Sequence, residues 1–210
     1  MASTDTIQRL SLEFAALQPN TPEGIYIIPS KQDLLMWRGV FFVHQGFYID
    51  SFLRFRLIFP RDYSAKPPTV IFETHAFHPL ISEKDGKMSL THRFRPWLPE
   101  EHNVYDILHF MKSSFKKDGL ERISESDCLN REAFRYHEND TSFTALARQT
   151  TELSRRDSVL YDNDEPPSMR LSRERVLSPQ DGFQFSVLDD DTMAKLRRRL
   201  GLTDWSSGDQ

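Results

Sequence analysis

Apolar residues near the start of the chain recur at the spacing of one helical face. Residues 5–17, DTIQRLSLEFAAL, place their large apolar side chains at i, i+3, i+7 and i+10. The predicted face is formed by Ile7, Leu10, Phe14 and Leu17. Pro19 then ends the helix, because a proline cannot donate the next backbone hydrogen bond.

From Gly24 the pattern changes to short runs of β-branched and aromatic residues with turn residues between them. The runs are GIYIIPS, LLMWRGVFFV, FLRFRLIFP and TVIFET. In the third run Arg54 and Arg56 alternate with apolar residues, which is the period of a strand with one buried face. Four strands in such close succession predict an antiparallel meander.

Helical spacing returns after residue 103. NVYDILHFMKSSFKKDGL predicts a helix with Lys116 and Lys117 in its last turn and Gly119 as its C-terminal cap. Its apolar positions are Val104, Ile107, Leu108, Met111 and Phe115. NREAFRYHENDTSFTALARQT predicts one or two further helices, with a break at Asn139-Asp140.

The composition shifts past residue 153 towards charged residues, serine and proline. This shift predicts three parts: a core domain over 1–153, a linker over 154–182, and a strand and helix segment over 183–210. In the last part FQFSVL predicts a short strand. DDDTMAKLRRRLG predicts a helix with acids at its start and bases at its end.

The terminal segment has too few large apolar side chains to form a core of its own. These side chains must pack either on the core domain or on another protein. The candidate partner-binding residues are therefore Met193, Leu196, Leu200 and Trp205.

Charge and cysteine content narrow the function classes. The 210-residue chain has a formal net charge of −4 with both signs interspersed, which argues against a nucleic-acid surface. The single cysteine, Cys128, excludes an internal disulfide and a cysteine-rich zinc site. The spacing of His75, His78, His92 and His102 matches no standard zinc pattern, so no metal is expected.

No apolar run approaches the roughly 20 residues that span a bilayer, and the N-terminus has no signal-peptide pattern. We therefore expect a soluble, cytoplasmic protein without a membrane span.

Several motifs resemble landmarks of the ubiquitin-conjugating fold. FPRDYSAKPPTVIF resembles the turn and double proline that lead into its fourth strand, and FHP at 77–79 resembles the start of its His-Pro-Asn motif. DGKMSL resembles the segment that carries the catalytic cysteine, and WLP and NREAFRYHEND resemble later landmarks. The resemblance covers about residues 5–155. It implies an α+β fold: an N-terminal helix, a four-stranded antiparallel meander, and C-terminal helices, here followed by an extended tail with a short helix.

A narrower resemblance is to the fused-toes branch, which includes the AKT-interacting protein and crossbronx and lacks the catalytic cysteine. The segments that carry it are GIYIIPS, MWRGVFFVHQGFY, FRFRLIFP, FHPL and LTHRF. This resemblance implies protein partners of the Hook coiled-coil type and vesicle transport linked to dynein. It calls for no cofactor.

Aligning these motifs puts Ser89 at the cysteine position and Leu80 at the position of the motif Asn, next to His78. A hydroxyl is a much weaker nucleophile than a thiolate and needs an adjacent base. The leucine side chain cannot donate a hydrogen bond to an oxyanion, and one lost donor typically costs about 10²–10³ in rate. If Ser89 is not a nucleophile, its hydroxyl belongs to a turn or is a modification site. His78 then has a structural role and holds its loop by a hydrogen bond.

The residues therefore predict a catalytically inactive adaptor. Two alternatives stay open: a ubiquitin-binding cofactor of an active enzyme, which leaves ubiquitin as a candidate ligand, and an atypical active conjugating enzyme that uses Ser89 or Cys128.

Overall fold

The computed structural model of the chain describes residues 4–137 and 140–155, together with residues 191 and 195. The helices are α1 (Thr4–Leu17), α2 (Val104–Ser114), α3 (Lys117–Glu121), α4 (Arg131–His137) and α5 (Asp140–Ser154), with a 3₁₀ turn over Glu125–Asp127. The strands are β1 (Ile25–Pro29), β2 (Met36–Phe42), β3 (Phe52–Ile58) and β4 (Thr69–Phe72).

The predicted tail falls largely outside the described residues. The strand FQFSVL and the candidate anchors Met193, Leu196, Leu200 and Trp205 all lie outside them. Asp191 and Lys195, from the predicted tail helix, are both helical and form an ion pair of 2.7 Å.

The four strands form one antiparallel sheet in the order β1-β2-β3-β4, which confirms the predicted meander. Alternation puts one side of the sheet into the hydrophobic core, and Leu53, Phe55 and Leu57 of β3 are fully buried there. The inward residues of the other strands are Ile25, Ile27, Trp37, Phe41, Val70 and Phe72. The opposite side carries Arg54 and Arg56, as their alternation predicts.

Helix α1 packs on the core through three of the four residues of the predicted face, while Ile7 is only half-buried, and one residue is added. Leu10 and Leu17 are buried, and the Phe14 ring meets Trp37 edge-on at 5.5 Å between centroids. Thr6 is buried as well, and its hydroxyl donates to the backbone carbonyls of residues 61 and 63. The apolar pattern missed this contact, because a threonine that binds backbone carbonyls adds nothing to a hydrophobic stripe.

The prediction that Gly119 caps the helix after residue 103 is wrong. Helix α2 ends at Ser114, and Gly119 lies inside the separate helix α3 with Lys117, so Lys116 and Lys117 are not in the last turn of α2. A Cβ at Gly119 would lie 1.9 Å from the carbonyl oxygen of Ser113. The glycine is therefore explained by the close approach of two backbones rather than by a left-handed cap.

Two helices follow, as predicted, since α4 ends at His137 and α5 begins at Asp140. The end of α5 is attached to the start of β3. The Ser51 and Thr151 hydroxyls are 2.7 Å apart, and the Phe52 amide donates to the Ser154 hydroxyl at 3.0 Å. None of the helices in the described part of the chain is long and apolar enough to cross a membrane.

Candidate functional site

His78 lies in the segment after β4 and is fully buried. Its Nδ1 accepts a hydrogen bond from the Leu80 amide at 3.1 Å, so the ring proton is on Nε2. The Nε2 donates to the carbonyl of Ser114 at 2.9 Å, and the ring stacks on Phe115 at 4.6 Å. The imidazole therefore joins its own loop to the end of α2, which is the structural role that the sequence left open.

Burial lowers the pKa of His78 from 6.5 to about 4, and the hydrogen bond to Ser114 opposes this only in part. The side chain is therefore neutral at physiological pH. With both ring nitrogens bonded to backbone groups, His78 has no nitrogen left to act as a base on a neighbouring hydroxyl.

Leu80 and Ser89 are direct neighbours on a short antiparallel pairing. The Ser89 amide donates to the Leu80 carbonyl at 2.8 Å, and Ile81 faces Met88 in the next bridge. The structure thus brings together His78, Leu80 and Ser89, the three residues that the motifs select. Leu80 is fully buried within the hydrophobic core, so it contributes packing at this place.

The Ser89 hydroxyl is the first member of a hydrogen-bonded chain. Ser89 is 8% exposed, and its Oγ lies 2.8 Å from Oγ1 of Thr91. Thr91 in turn donates to Asp127 Oδ1 at 3.1 Å. The second carboxylate oxygen of Asp127 accepts from Ser124 at 2.8 Å and lies 3.2 Å from Nδ1 of His92.

No pattern in the sequence predicted that Thr91 and His92 would contact Asp127. Asp127 lies 36 residues beyond Thr91 and 35 beyond His92, and only the fold closes that distance. The pKa of Asp127 is lowered chiefly by the hydrogen bond from Ser124, and further by those from His92 and Thr91. A carboxylate stabilised in its charged form is a poor proton acceptor, and this one reaches Ser89 only through the threonine.

Cys128, the only thiol of the chain, adjoins this network. Its Sγ donates to the Ser124 carbonyl at 3.2 Å. Burial, together with the negative charges of Asp127 and Glu125, raises the thiol pKa from 9.0 to about 11. Because the thiolate is the reactive form, this environment disfavours Cys128 as a nucleophile.

Three of the four histidines considered for zinc are held by separate partners. His78 binds backbone groups, His92 contacts Asp127, and Nδ1 of His102 accepts from the Leu98 amide at 3.0 Å. No group of three metal-ligating side chains converges among the residues that the structure describes.

Fold and motifs together define the class of protein. The sequence profile of the family "Ubiquitin-conjugating enzyme" matches residues 9–151, which is well over half of the chain. The chain belongs to the ubiquitin-conjugating enzyme family, in its fused-toes branch.

The fused-toes branch is identified by relatives that are named crossbronx and AKTIP. Protein crossbronx of Drosophila grimshawi is 30% identical over 172 residues, covering 78% of this chain and 68% of the relative. The protein crossbronx homolog of Anopheles gambiae is 29% identical over 162 residues, covering 76% and 70%. Protein AKTIP homolog of Nematostella vectensis is 28% identical over 132 residues, covering 62% of this chain and 43% of the relative.

Proposed function

We propose that this protein is a catalytically inactive ubiquitin-conjugating enzyme variant that acts as an adaptor. The observation that carries the proposal is the environment of Ser89, which we assign to the position of the family's catalytic cysteine. Its hydroxyl is bonded to another hydroxyl, that of Thr91, instead of to a base. An alkanol in that setting lacks the activation that a serine nucleophile needs.

The two other groups that could rescue catalysis are poorly suited to it. Cys128 has its thiol pKa raised to about 11, so only a very small fraction is thiolate at neutral pH. The apolar side chain of Leu80, at the place of the motif Asn, offers no donor to a developing oxyanion. Nucleophile and oxyanion donor are therefore both missing from the same few residues.

Charging with ubiquitin tests this directly. The full chain is incubated with activating enzyme, ATP and ubiquitin, and the products are run with and without reducing agent and hydroxide. We expect neither a thioester, which reducing agent cleaves, nor an oxyester, which hydroxide cleaves. Efficient transfer of ubiquitin by the native chain to lysine would overturn the proposal.

Two variants test the missing nucleophile and the missing oxyanion donor separately. Ser89→Cys supplies a thiol, so it can accept ubiquitin, but discharge to free lysine should stay slow because Leu80 remains. Adding Leu80→Asn should raise the rate of discharge by about 10²–10³-fold if the oxyanion donor is the remaining defect. Cys128→Ser is the matched control and should change neither step.

As an adaptor, the protein is proposed to act in the cytoplasm and to reach vesicles through its partners. The partners we propose are coiled-coil proteins of the Hook type that link vesicles to dynein. The fused-toes relatives support this proposal, since their similarity extends over 172 residues of protein crossbronx and 132 residues of the AKTIP homolog. The fold supplies a folded platform, and the terminal segment supplies apolar anchors.

The proposed anchors are Met193, Leu196, Leu200 and Trp205. A partner-binding segment depends on a few such side chains, and losing one at a hot spot costs about 2 kcal/mol or more. Leu196→Asp should therefore weaken capture of a Hook-type coiled coil without changing the melting temperature of the free chain. Arg198→Asp, a polar position of the same segment, is the control. Normal capture by a chain that ends at Ser154 would overturn the role of the tail.

A further inference from the structure

The two edges of the sheet differ in whether a further segment covers them. The outer edge of β4 is covered by the chain itself, since the Phe72 amide donates to the Gly86 carbonyl at 2.9 Å. The Met88 amide donates to the Val70 carbonyl at the same distance. β1 forms the opposite edge, and in the described part of the chain it pairs with β2 alone. Such an edge strand offers its outward backbone groups to a further strand.

The hydrogen bonds between β1 and β2 show which backbone groups point outward. The Phe42 amide donates to the Gly24 carbonyl at 2.8 Å. At the other end of the strand the Ser30 amide donates to the Met36 carbonyl, also at 2.8 Å. Because bonded residues alternate along an antiparallel strand, even-numbered residues of β1 bond to β2 and odd-numbered ones point away from it. The outward residues are Ile25, Ile27 and Pro29.

These outward residues leave one donor and three acceptors at the edge. The Ile25 amide already donates to the Pro22 carbonyl at 3.0 Å, and Pro29 has no N–H. The remaining donor is the N–H of Ile27, and the acceptors are the three carbonyls. None of these four groups has a hydrogen-bond partner among the residues that the structure describes. We call the four groups the β1 edge.

A groove of about 470 Å³ lies beside β1, next to the last turns of α1. Phe14, Leu17 and Ile27 give it apolar walls. Glu23 is the one charged residue among those that line it, and its side chain is exposed. The neighbouring Lys112 donates to the backbone carbonyl of Glu23 and not to the carboxylate. The groove therefore suits apolar side chains, with a positive charge at the Glu23 end.

A second copy of the chain does not complete this edge. Each copy brings one free donor, the N–H of Ile27, so two β1 strands form at most two hydrogen bonds with each other in any register. A proline on an edge strand commonly limits self-association in this way. A foreign strand with free amides can instead donate to all three carbonyls and accept from Ile27, which makes four bonds.

We propose that the β1 edge binds an extended segment of a partner protein, which adds to the sheet as a fifth strand antiparallel to β1. The partner residues that bond to Ile25, Ile27 and Pro29 are every second residue of that segment. Residues opposite each other in a sheet share a face, so these partner side chains point towards Phe14 and Leu17 and should be apolar. The antiparallel direction puts the C-terminal end of the segment beside Glu23, where a lysine or arginine fits.

This inference goes beyond the adaptor proposal and does not depend on it. It assigns a partner of defined backbone conformation to the folded domain, and it uses neither Ser89 nor the terminal segment. Charging with ubiquitin leaves it untouched, so the two proposals can fail separately.

Peptide selection followed by hydrogen exchange tests the site on the full chain. The probes are phage-displayed peptides of about ten residues, apolar at alternate positions and with a C-terminal lysine. An enriched peptide is synthesised, and amide exchange of the ¹⁵N-labelled chain is measured with and without it. We expect the peptide to slow exchange of the Ile27 amide about 10-fold or more. Exchange of Tyr26 and Ile28 should change little, because their amides already bond to β2.

Single N-methylation of the same peptide tests the backbone pairing. Methylation of an amide that points at β1 should weaken binding about 10-fold, whereas methylation of the amides between them should not. Glu23→Lys should weaken binding as well, and a peptide with glutamate in place of its lysine should recover it. The exposed Glu100→Lys is the matched control and should leave binding unchanged.

Several results would overturn the proposal. They are failure to enrich any peptide, enriched peptides that leave exchange of Ile27 unchanged, and equal sensitivity to methylation at both sets of amides. Slow exchange of Ile27 without peptide also counts against it. Protection that rises with protein concentration would show that a second copy covers the edge, and protection at every concentration would show that the chain covers its own edge.

Discussion

Nε2 of His78 donates to the backbone carbonyl of Ser114 across 36 residues of sequence, and the two groups are 2.9 Å apart. This bond fixes the segment after β4 to the last turn of α2. The Leu80 amide, bonded to the other ring nitrogen, extends the fixed region to the neighbours of Ser89. A neutral histidine therefore anchors the segment that contains Leu80 and pairs with Ser89.

Unfolding should become easier as the pH falls from about 6.5 to 4, because of His78. Its pKa is about 4 when folded and 6.5 as the reference, so in this window the unfolded chain binds a proton that the folded chain does not. The contribution of His78 to the free energy of unfolding is complete above pH 6.5. It falls by about 3 kcal/mol in all as the pH drops from 6.5 to 4. Denaturant unfolding of the native chain and of His78→Gln at several pH values measures it.

The free energy of unfolding is compared with pH for the native chain and for His78→Gln. The difference between these two curves separates the contribution of His78 from that of carboxyl groups that titrate in the same pH range. Identical curves would show that the histidine does not carry the effect. If the variant fails to fold, NMR titration of the native chain gives the same answer, because the His78 ring signals should not shift until the pH approaches 4.

Glu13 of α1 accepts hydrogen bonds from Tyr63 and from the start of α2, and replacing its carboxylate should destabilise the fold. Its carboxylate accepts from the Tyr63 hydroxyl at 2.8 and 2.9 Å and from the amide of Val104, the first residue of α2, at 2.9 Å. Hydrogen bonds to charged groups contribute about 1.5–3 kcal/mol. Glu13→Gln should therefore lower the free energy of unfolding by about 1–3 kcal/mol in urea titrations.

Tyr63→Phe should cost about 1 kcal/mol alone and less in the Glu13→Gln background, because both changes remove the same bond. The exposed Glu100→Gln should stay within about 0.5 kcal/mol of the native chain. Strict additivity of the first two changes would contradict a shared interaction.

Gly119→Ala should destabilise the protein, although it replaces glycine inside a helix. Helix propensity alone favours alanine by about 1 kcal/mol. The added Cβ, however, would lie 1.9 Å from the Ser113 oxygen, and such a clash with backbone forces the two segments apart. We expect a net loss of about 1–3 kcal/mol in thermal or urea unfolding. A stabilised variant would refute the packing explanation, and Asp118→Ala next to it is the control.

Cys128 should react slowly with iodoacetamide. With the thiol pKa near 11 instead of 9, the thiolate fraction at pH 8 is about 100-fold smaller than for an ordinary thiol. Alkylation rates measured from pH 7 to 11 should keep rising through the whole range. Asp127→Asn should speed the reaction, since that charge helps to raise the pKa. A rate that levels off near pH 9 would contradict the described environment.

Local sequence patterns were enough to predict the kinds of elements and most of the residues that they bury. Leu10 and Leu17 on α1, and the alternation through Phe55 on β3, are local periodic signals that need no knowledge of the rest of the chain. The identities of Leu80 and Ser89 are likewise read directly, and they carry the chemical proposal.

The contacts between distant residues could be found only in the folded chain. The hydrogen bonds from Thr91 and His92 to Asp127 follow no period, because they join loops more than 30 residues apart. The close packing of Gly119 on Ser113, mistaken for a helix cap in the sequence, depends on how two helices meet. Hydrophobic patterning reflects which face of an element is buried, whereas individual polar contacts depend on side-chain positions that the complete fold alone fixes.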